Sequence, residues 1–220
     1  MTPVLAIDTS AGKCGIAVFI SEKLNSYSIL DKERGQAKQI HSMIDSVCSS
    51  LDISLKEIKS VVVTEGPGSF TGLRLGFSLA KSISFALNIP VITVPVFEAL
   101  FAEQDNLKDV FNIASAIKAS STEMYFAVEK DFRECNSNKI EVISISDLDK
   151  KLVDFSINFL ISDINTTLPG IVIKNSVSPH PLQVVKCGLK SGKVFTGEEI
   201  DLLSPNYIKP FLIKERKNVK

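Results

Sequence analysis

The sequence has 220 residues, of which 45% are apolar and 23% are charged. This composition is ordinary for a folded protein and excludes intrinsic disorder for the body of the chain. The 25 basic and 25 acidic residues cancel, which argues against a strong binder of nucleic acid or anionic membranes, since such proteins carry a basic excess. The longest apolar runs, of about five residues, are far shorter than the ~18 that cross a membrane.

The cysteines and the first residues of the sequence bear on the cellular compartment of the protein. The four cysteines, at positions 14, 48, 135 and 187, form no C-x-x-C pair, and a chain of this length does not depend on disulfides. Residues 1–8 lack a basic segment, and Asp8 interrupts their apolar stretch, so they do not resemble a signal peptide. We therefore expect a reduced, cytoplasmic protein without membrane contact.

Apolar patterning predicts three strands and then alternating helices and strands. Val4–Asp8, Gly15–Ile20 and Tyr27–Leu30 have the spacing of an antiparallel meander. A helix follows from apolar residues at helical spacing, namely Ile40, Met43, Ile44, Val47 and Leu51. Next come a strand at 61–63, a helix from an N-cap at Ser69 to Leu87, a strand at Val91–Val94 and a short helix at Phe97–Ala102. This order predicts a mixed sheet with helices packed on it.

A second set of elements is predicted from residue 105 onward. The predicted strands are Asn112–Ile117, Met124–Val128, Ile140–Ile145, Ile157–Ile161 and Gly170–Ile173. Short helices are predicted at Ser146–Leu152 and Thr196–Leu203, and the chain ends in a basic tail. We therefore expect two lobes, one of residues 1–104 and a smaller one of residues 105–220.

The most specific local motif is GPGSFTGLRLG, at residues 66–76. A glycine-rich turn between a strand and a helix can hold a phosphate on free backbone N–H groups, which makes Gly68 a candidate cofactor-binding residue. The motif is not a P-loop, because Leu73 stands where that loop has lysine, and it misses the dinucleotide fingerprint by one residue. A tight turn that allows close helix packing is the alternative.

Small residues form a strip along the helix that follows this turn. Gly72, Gly76 and Ala80 recur at intervals of four, beside Leu73 and Phe77. Such a strip lets another backbone approach closely, because it carries almost no side chain. It suits a helix–helix contact, either inside the domain or across a subunit interface.

An aspartate ends the first predicted strand. Asp8 and Thr9 precede a hairpin that contains glycine, where an aspartate can orient a metal-bound nucleotide phosphate. The simpler interpretation is an Asx-type turn. Asp8 and Thr9 are therefore candidate cofactor-binding residues together with Gly68.

Catalytic machinery is not recognisable in the sequence. The two histidines, His41 and His180, form no H-x-x-x-H or H-E-x-x-H motif, and no G-x-S-x-G elbow occurs. His41 lies next to an apolar helix face and is interpreted as a packed or interface histidine. We assign no catalytic residue and no metal ligand.

Several motifs, taken in order, resemble the TsaB (YeaZ) family over residues 4–100. They are LAIDTS at 5–10, EGPGSFTGLRLG at 65–76, Ala80-Lys81, Pro90-Val91 and Glu98-Ala99-Leu100. A weaker similarity is PNYIK at 205–209, where the family has Pro-x-Tyr-Leu-Arg. The resemblance implies an α/β, two-lobed fold like that of actin, heat-shock chaperone ATPases and sugar kinases (ASKHA), with mixed sheets flanked by helices.

The resemblance also implies a function. Family members are non-catalytic partner subunits in the synthesis of N6-threonylcarbamoyladenosine (t6A) at position 37 of tRNA. Such a subunit binds and activates a TsaD-like catalytic subunit, which carries the H-x-x-x-H motif missing here. It works with a TsaE-like ATPase, contacts tRNA only through the complex and can form a homodimer when alone. The resemblance implies no cofactor of its own and leaves open ATP or ADP at the partner interface.

In the family, the helices after the meander and after the glycine-rich turn form the dimer surface. This resemblance, with the small-residue strip, gives the predicted partner interface as Ile40, Met43, Ile44, Val47, Gly72, Leu73, Arg74, Gly76, Phe77 and Ala80.

The sequence departs from the family at two places. Gln36-Ala37-Lys38 stands where members have His-Ser-Glu, and Lys118-Ala119-Ser120-Ser121 replaces Asp-Ala-Arg-Arg. The second lobe is therefore poorly covered by the resemblance. Two other functions stay open: a stand-alone ATPase of the same fold that uses Asp8 and Gly68, and a peptidase, since relatives were historically labelled glycoproteases.

Overall fold

The computed structural model describes residues 1–31, 36–104, 106–107, 111–130, 140–164 and 168–209, with side chains of the first helix described from Gln39 onward. The described residues form an α/β fold with two mixed sheets flanked by helices. None of the helices in these ranges has the length and apolar character that a membrane crossing requires.

The first sheet has six strands in the order β11-β5-β4-β1-β2-β3. They are β1 (Val4–Asp8), β2 (Lys13–Ser21), β3 (Leu24–Asp31), β4 (Ser60–Gly66), β5 (Val91–Pro95) and β11 (Lys193–Phe195). The first three form the predicted antiparallel meander. Strand β4 joins parallel to β1, and β5 joins parallel to β4. The central strands are buried on both faces, which explains their continuous β-branched runs.

Helices cover both faces of this sheet. On one face lie α1 (Gln36–Ser49) and α2 (Phe70–Leu87), whose apolar residues share one core with β1, β2 and β4. On the other face lies α5 (Pro181–Ser191), which packs on Val4, Ala6 and Val62. Helix α3 (Val96–Ala102) contributes to this core and to the core of the second sheet, so it joins the two halves of the molecule.

The second sheet has five strands in the order β10-β9-β6-β7-β8. They are β6 (Ile113–Lys118), β7 (Glu123–Val128), β8 (Glu141–Ser144), β9 (Phe159–Ser162) and β10 (Val172–Lys174). Helix α4 (Leu148–Asp154) shares an apolar core with this sheet. The short helix α6 (Glu199–Leu202) follows β11, and 3-10 turns lie at Leu55–Glu57 and Ile145–Asp147.

The predicted strands and helices are present with shifted ends, but α5 and β11 have no counterpart among them. Both come after residue 105 in the sequence, yet α5 packs on the first sheet and β11 pairs with β5. The division into lobes at 104/105 stays a prediction. Residues 181–195 were assigned by sequence to the second lobe. They pack with the first sheet, where α5 buries the apolar side chains of Val4, Ala6 and Val62.

Candidate functional site

The β1–β2 hairpin and the start of α2 meet at one point. The backbone N–H of Ser69 donates to the carbonyl of Ser10 at 2.6 Å. The Ser69 side chain accepts from the N–H of Gly72 at 3.3 Å, which confirms Ser69 as the N-cap of α2. The glycine-rich turn is therefore fixed against the hairpin.

Glycine is required where the two backbones approach. A Cβ on Gly68 would lie 2.2 Å from the carbonyl oxygen of Ser10, and one on Gly72 would lie 2.0 Å from that of Thr9. A Cβ on Gly76 would lie 2.5 Å from Oγ1 of Thr9. The strip of small residues thus packs inside the chain, against the end of β1. The sequence left open a helix contact inside the domain or across a subunit interface. In the structure the strip makes a contact inside the chain, and it packs against the end of a strand and not against a helix.

Asp8 is buried beneath this contact. Its Oδ1 accepts from the N–H of Ser10 at 3.1 Å, the hydroxyl of Ser10 at 2.6 Å and the hydroxyl of Thr64 at 2.7 Å. Its Oδ2 has no hydrogen-bond partner among the described residues. Burial raises the pKa of this carboxyl, since it disfavours the charged form, although the three hydrogen bonds oppose the rise. The Asx-type turn predicted as the simpler interpretation is present.

Thr9 is equally buried, and its hydroxyl donates to the carbonyl of Gly72 at 2.7 Å. Neither Asp8 nor Thr9 lines the large cleft described next. Of the three candidate cofactor-binding residues, the structure places Gly68 alone at that cleft. The side chain of Thr9 bonds to Gly72 of α2, and that of Asp8 bonds to Ser10 and to Thr64 of β4.

The large cleft has a volume of about 740 Å³ and lies between the first hairpin, the start of α2 and the second sheet. Its lining is Ser10–Gly12, Gly68–Phe70, Ile117–Ser120, Tyr125, Asp163, Val177, Tyr207 and Lys209. Two lysines, two tyrosines and a helix start give it the chemistry for a planar or anionic molecule. Sequence reasoning assigned no role to Lys118, Tyr125, Tyr207 or Lys209; the PNYIK similarity was the one signal for the last two.

The C-terminal strap, residues 203–209, borders this cleft and runs along α2. The N–H of Asn206 donates to the carbonyl of Glu65 at 2.8 Å. Tyr207 lies against Phe70, with ring centroids 5.1 Å apart, and accepts from Nε of Arg74 at 3.4 Å. Lys209 pairs with Glu123 of the second sheet, and this contact lowers the pKa of the Glu123 carboxyl. The strap therefore contacts both halves of the molecule.

A second, smaller cavity, of about 140 Å³, has Asp8 in its lining. Glu103 and His180 line it, and Glu103 accepts from the N–H of His180 and from Nζ of Lys174. Nδ1 of His180 accepts from the N–H of Leu182 at 3.3 Å and so caps α5. Burial lowers the pKa of His180, and the charge of Glu103 partly offsets this.

The predicted partner interface needs correction. The side chains of Ile40, Met43, Ile44, Val47, Leu73, Phe77 and Ala80 are at most 8% exposed, and Gly72 and Gly76 are buried as well. They fill the core beneath α1 and α2, so nine of the ten residues cannot form a contact surface. Arg74 alone is exposed, with its guanidinium 4.1 Å from the centre of the Phe70 ring.

The exposed faces of α1 and α2 have an unusual composition. Their exposed residues are Gln39, His41, Ser42, Asp45, Ser46, Ser49, Thr71, Arg74, Ser78, Ser82, Phe85 and Ala86. Two of these twelve carry a formal charge and five are serines. A solvated helix face usually carries many charges, whereas interface centres are depleted in charged residues. His41 lies on this exposed face and not in the core. The departure at Gln36-Ala37-Lys38 lies outside the described side chains.

Among the described residues, no group of three His, Cys, Asp or Glu side chains is arranged to hold a metal ion. Histidine 41 and His180 lie on different elements, α1 and the start of α5. The structure therefore adds no metal ligand to the residues considered from sequence.

Comparison with known proteins places these features in a family. Residues 31–157, more than half of the chain, match the family model "TsaD: tRNA N6-adenosine threonylcarbamoyltransferase". A Buchnera aphidicola protein named "tRNA threonylcarbamoyladenosine biosynthesis protein TsaB" is 32% identical over 158 residues, 71% of this chain and 70% of that protein. A Haemophilus influenzae protein of the same name is 31% identical over 138 residues. The match spans 60% of this chain and 58% of the Haemophilus protein.

A solved structure supports the fold. A Pseudomonas aeruginosa crystal structure, described as an uncharacterized protein with similarity to peptidase YEAZ, superposes with a TM-score of 0.73. The superposition covers 95% of this chain and 100% of that chain at 18% identity. The likeness confirms the expected α/β fold with two mixed sheets flanked by helices, and at this identity it shows the fold alone.

Proposed function

The chain belongs to the TsaB (YeaZ) family, and we propose that it is a non-catalytic subunit in the synthesis of tRNA t6A that binds and activates a TsaD-like subunit. Its curated relatives are named for t6A biosynthesis, and the matched family model is named for the transferase itself. In this proposal the chain works with a TsaE-like ATPase and meets tRNA only through the complex. Its contribution is to hold the catalytic subunit in a competent arrangement.

The observation that carries the proposal is the exposed surface of α1 and α2. The twelve exposed residues include five serines and two charged side chains. Covering this surface with a partner protein therefore requires little desolvation of charge. Small hydroxyl side chains also let a partner helix approach closely. We therefore assign the partner interface to this exposed face and not to the buried apolar residues predicted from the sequence.

The burial of Asp8 and Thr9 bears on whether the chain binds a cofactor. The hydroxyl of Thr9 is used in a hydrogen bond that joins β1 to α2, and Oδ1 of Asp8 is used in hydrogen bonds from Ser10 and from Thr64 on β4. The proposal therefore gives the chain no cofactor of its own. ATP or ADP then belongs at the interface with the partner, where Gly68 and Lys118 border the cleft.

Reconstitution tests the proposal. A TsaD-like subunit, a TsaE-like ATPase and an adenylate-forming synthase are mixed with threonine, bicarbonate, ATP and tRNA, with and without this chain. Mass spectrometry measures t6A. We expect product to require this chain, and we expect no ATP hydrolysis by the chain alone.

Substitutions on the exposed faces of α1 and α2 test whether these faces bind the TsaD-like subunit. Ser46→Glu and Ser78→Glu place charge on the exposed faces of α1 and α2, and we expect each to lower t6A formation and binding to the TsaD-like subunit by at least fivefold. Ser146→Glu, exposed on the second half, is the matched control and should leave both unchanged. Equal product without the chain would contradict the proposal, and ATP hydrolysis by the chain alone would favour the ATPase function.

A further inference from the structure

Asp8 carries a carboxylate oxygen that the fold leaves unused. Its side chain is 1% exposed. Oδ1 accepts the three hydrogen bonds described above, whereas Oδ2 has no partner among the described residues. Removing a carboxylate from water is costly, and buried charges in proteins are as a rule paired with an opposite charge or bound to a metal ion. The oxygen is therefore available to a ligand.

The small cavity of about 140 Å³ adjoins this carboxylate, because Asp8 is part of its lining. The rest of the lining comes from β2 and β3, from Glu103 at the end of α3, and from the segment that precedes α5. Its volume admits a small ion with a few water molecules but is below the roughly 300 Å³ of pockets for larger organic ligands. Asp8 does not line the large cleft, so a ligand here is separate from one bound there.

The lysines near the small cavity do not neutralise Asp8. Nζ of Lys174 lies 2.6 Å from Oε2 of Glu103, and Nζ of Lys13 lies 3.4 Å from Oδ1 of Asp31. The charge of Glu103 is therefore balanced by Lys174. When Asp8 is ionised, its charge has no such counterpart among the residues that line the cavity.

The other polar groups of the small cavity suit a hard cation, which takes oxygen ligands. Ser176 and Ser178 contribute hydroxyl groups to the lining. Oγ of Ser178 accepts from the N–H of Lys13 at 3.1 Å, which fixes its position. Burial lowers the pKa of His180 from 6.5, so at pH 7 its ring is mostly neutral and does not repel a cation.

A single unbalanced carboxylate favours a monovalent ion. Sites for Ca²⁺ and Zn²⁺ usually gather several charged side chains, and the described part of the chain has no group of three His, Cys, Asp or Glu placed to hold a metal ion. We propose that the small cavity binds one alkali cation, K⁺ or Na⁺, with Oδ2 of Asp8 as its charged ligand. The ion balances the buried charge and connects the end of β1 to the segment that precedes α5.

Salts of equal ionic strength test the inference on the chain alone, so its failure is distinguishable from failure of the proposed function. Thermal unfolding is measured at pH 7 in KCl, NaCl or tetramethylammonium chloride, each at about 150 mM. The organic cation screens charge equally, but its methyl groups keep oxygen ligands away from the nitrogen. We expect Tm in KCl or NaCl to exceed that in the organic salt by at least about 3 °C, which corresponds to a dissociation constant of about a tenth of the salt concentration. The comparison of KCl with NaCl identifies the preferred ion.

Variants assign the shift to the small cavity. Asp8→Asn keeps the shape of the side chain and removes its charge, so it should have the same Tm in all three salts. Lys174→Met should enlarge the shift, because Glu103 then adds a second unbalanced charge. Asp149→Asn, which removes an exposed carboxylate on α4, is the matched control and should keep the shift of the parent chain. In crystals soaked with RbCl, an anomalous scattering peak should lie next to Oδ2 of Asp8.

Three results would overturn the inference. Equal Tm values of the parent chain in the three salts would mean that the cavity holds water alone. A difference between the salts that persists in Asp8→Asn would place the ion elsewhere on the protein. Stabilisation by MgCl₂, with none by KCl or NaCl, would assign the carboxylate to a divalent ion.

Discussion

Replacing Gly72 with alanine tests the internal contact between α2 and β1. In an exposed helix, this change would stabilise the protein by about 1 kcal/mol. Here the new Cβ would lie 2.0 Å from the carbonyl oxygen of Thr9, a backbone atom at the end of a buried strand. The overpacking costs about 1–3 kcal/mol. Displacement of Thr9 also removes its 2.7 Å hydrogen bond to Gly72, which contributes about 1 kcal/mol.

These contributions give Gly72→Ala a net loss of about 2 kcal/mol, which lowers Tm by about 4–8 °C in a chain of this size. Circular dichroism during thermal unfolding measures the shift, and urea titration measures the free energy of unfolding. Gly12→Ala is the matched control, because a Cβ there has no heavy atom within 4 Å. It should stay within about 0.5 kcal/mol of the parent chain. If Gly72→Ala melts with the parent, the close approach of α2 to β1 is wrong.

Three further predictions concern titrating side chains. Burial raises the pKa of Asp8, so ionisation of this carboxyl lowers the stability of the protein as pH rises above 3.8. At pH 7, Asp8→Asn should therefore unfold at a higher urea concentration than the parent. The difference should disappear as pH falls toward 3.8. The pKa of His180 is lowered from 6.5, so its contribution is present above that pH and lost below it; relative to His180→Asn, which keeps a capping oxygen, the parent should lose stability between pH 7 and pH 5. The pKa of Glu123 is lowered from 4.5 by Lys209, so this contact holds above pH 4.5 and is lost as pH falls; Glu123→Gln should remove that dependence in urea titrations.

Patterns that depend on local geometry predicted much of the fold. The apolar runs of the first strands and the helical spacing from Ile40 to Val47 predicted elements that the structure contains. The N-cap at Ser69 followed from the chemistry of a hydroxyl before a helix. Periodicity shows that a face is apolar but does not show what covers it. This is why Phe77 and Ala80 were assigned to a partner and lie in the core of the chain.

Helix α5 was missed for a different reason. Its segment contains Pro181, Gly188 and Gly192, and each of these residues normally ends a helix. Pro181 lies at the first position of the helix, where no N–H is needed. Gly188 lies where a Cβ would be 2.7 Å from Val62, so glycine is there for tertiary packing. Such packing cannot be read from neighbouring residues.

The return of α5 and β11 to the first sheet has a consequence for synthesis on the ribosome. After residue 104 is made, 91 more residues must follow before β11 is complete at residue 195, which takes about 5–18 s at typical elongation rates. During that time the face of the first sheet that α5 covers, with Val4, Ala6 and Val62, has the short helix α3 beside it but not α5. The newly made chain therefore carries an apolar surface that chaperones bind, and its first half completes folding only when the last quarter of the protein emerges.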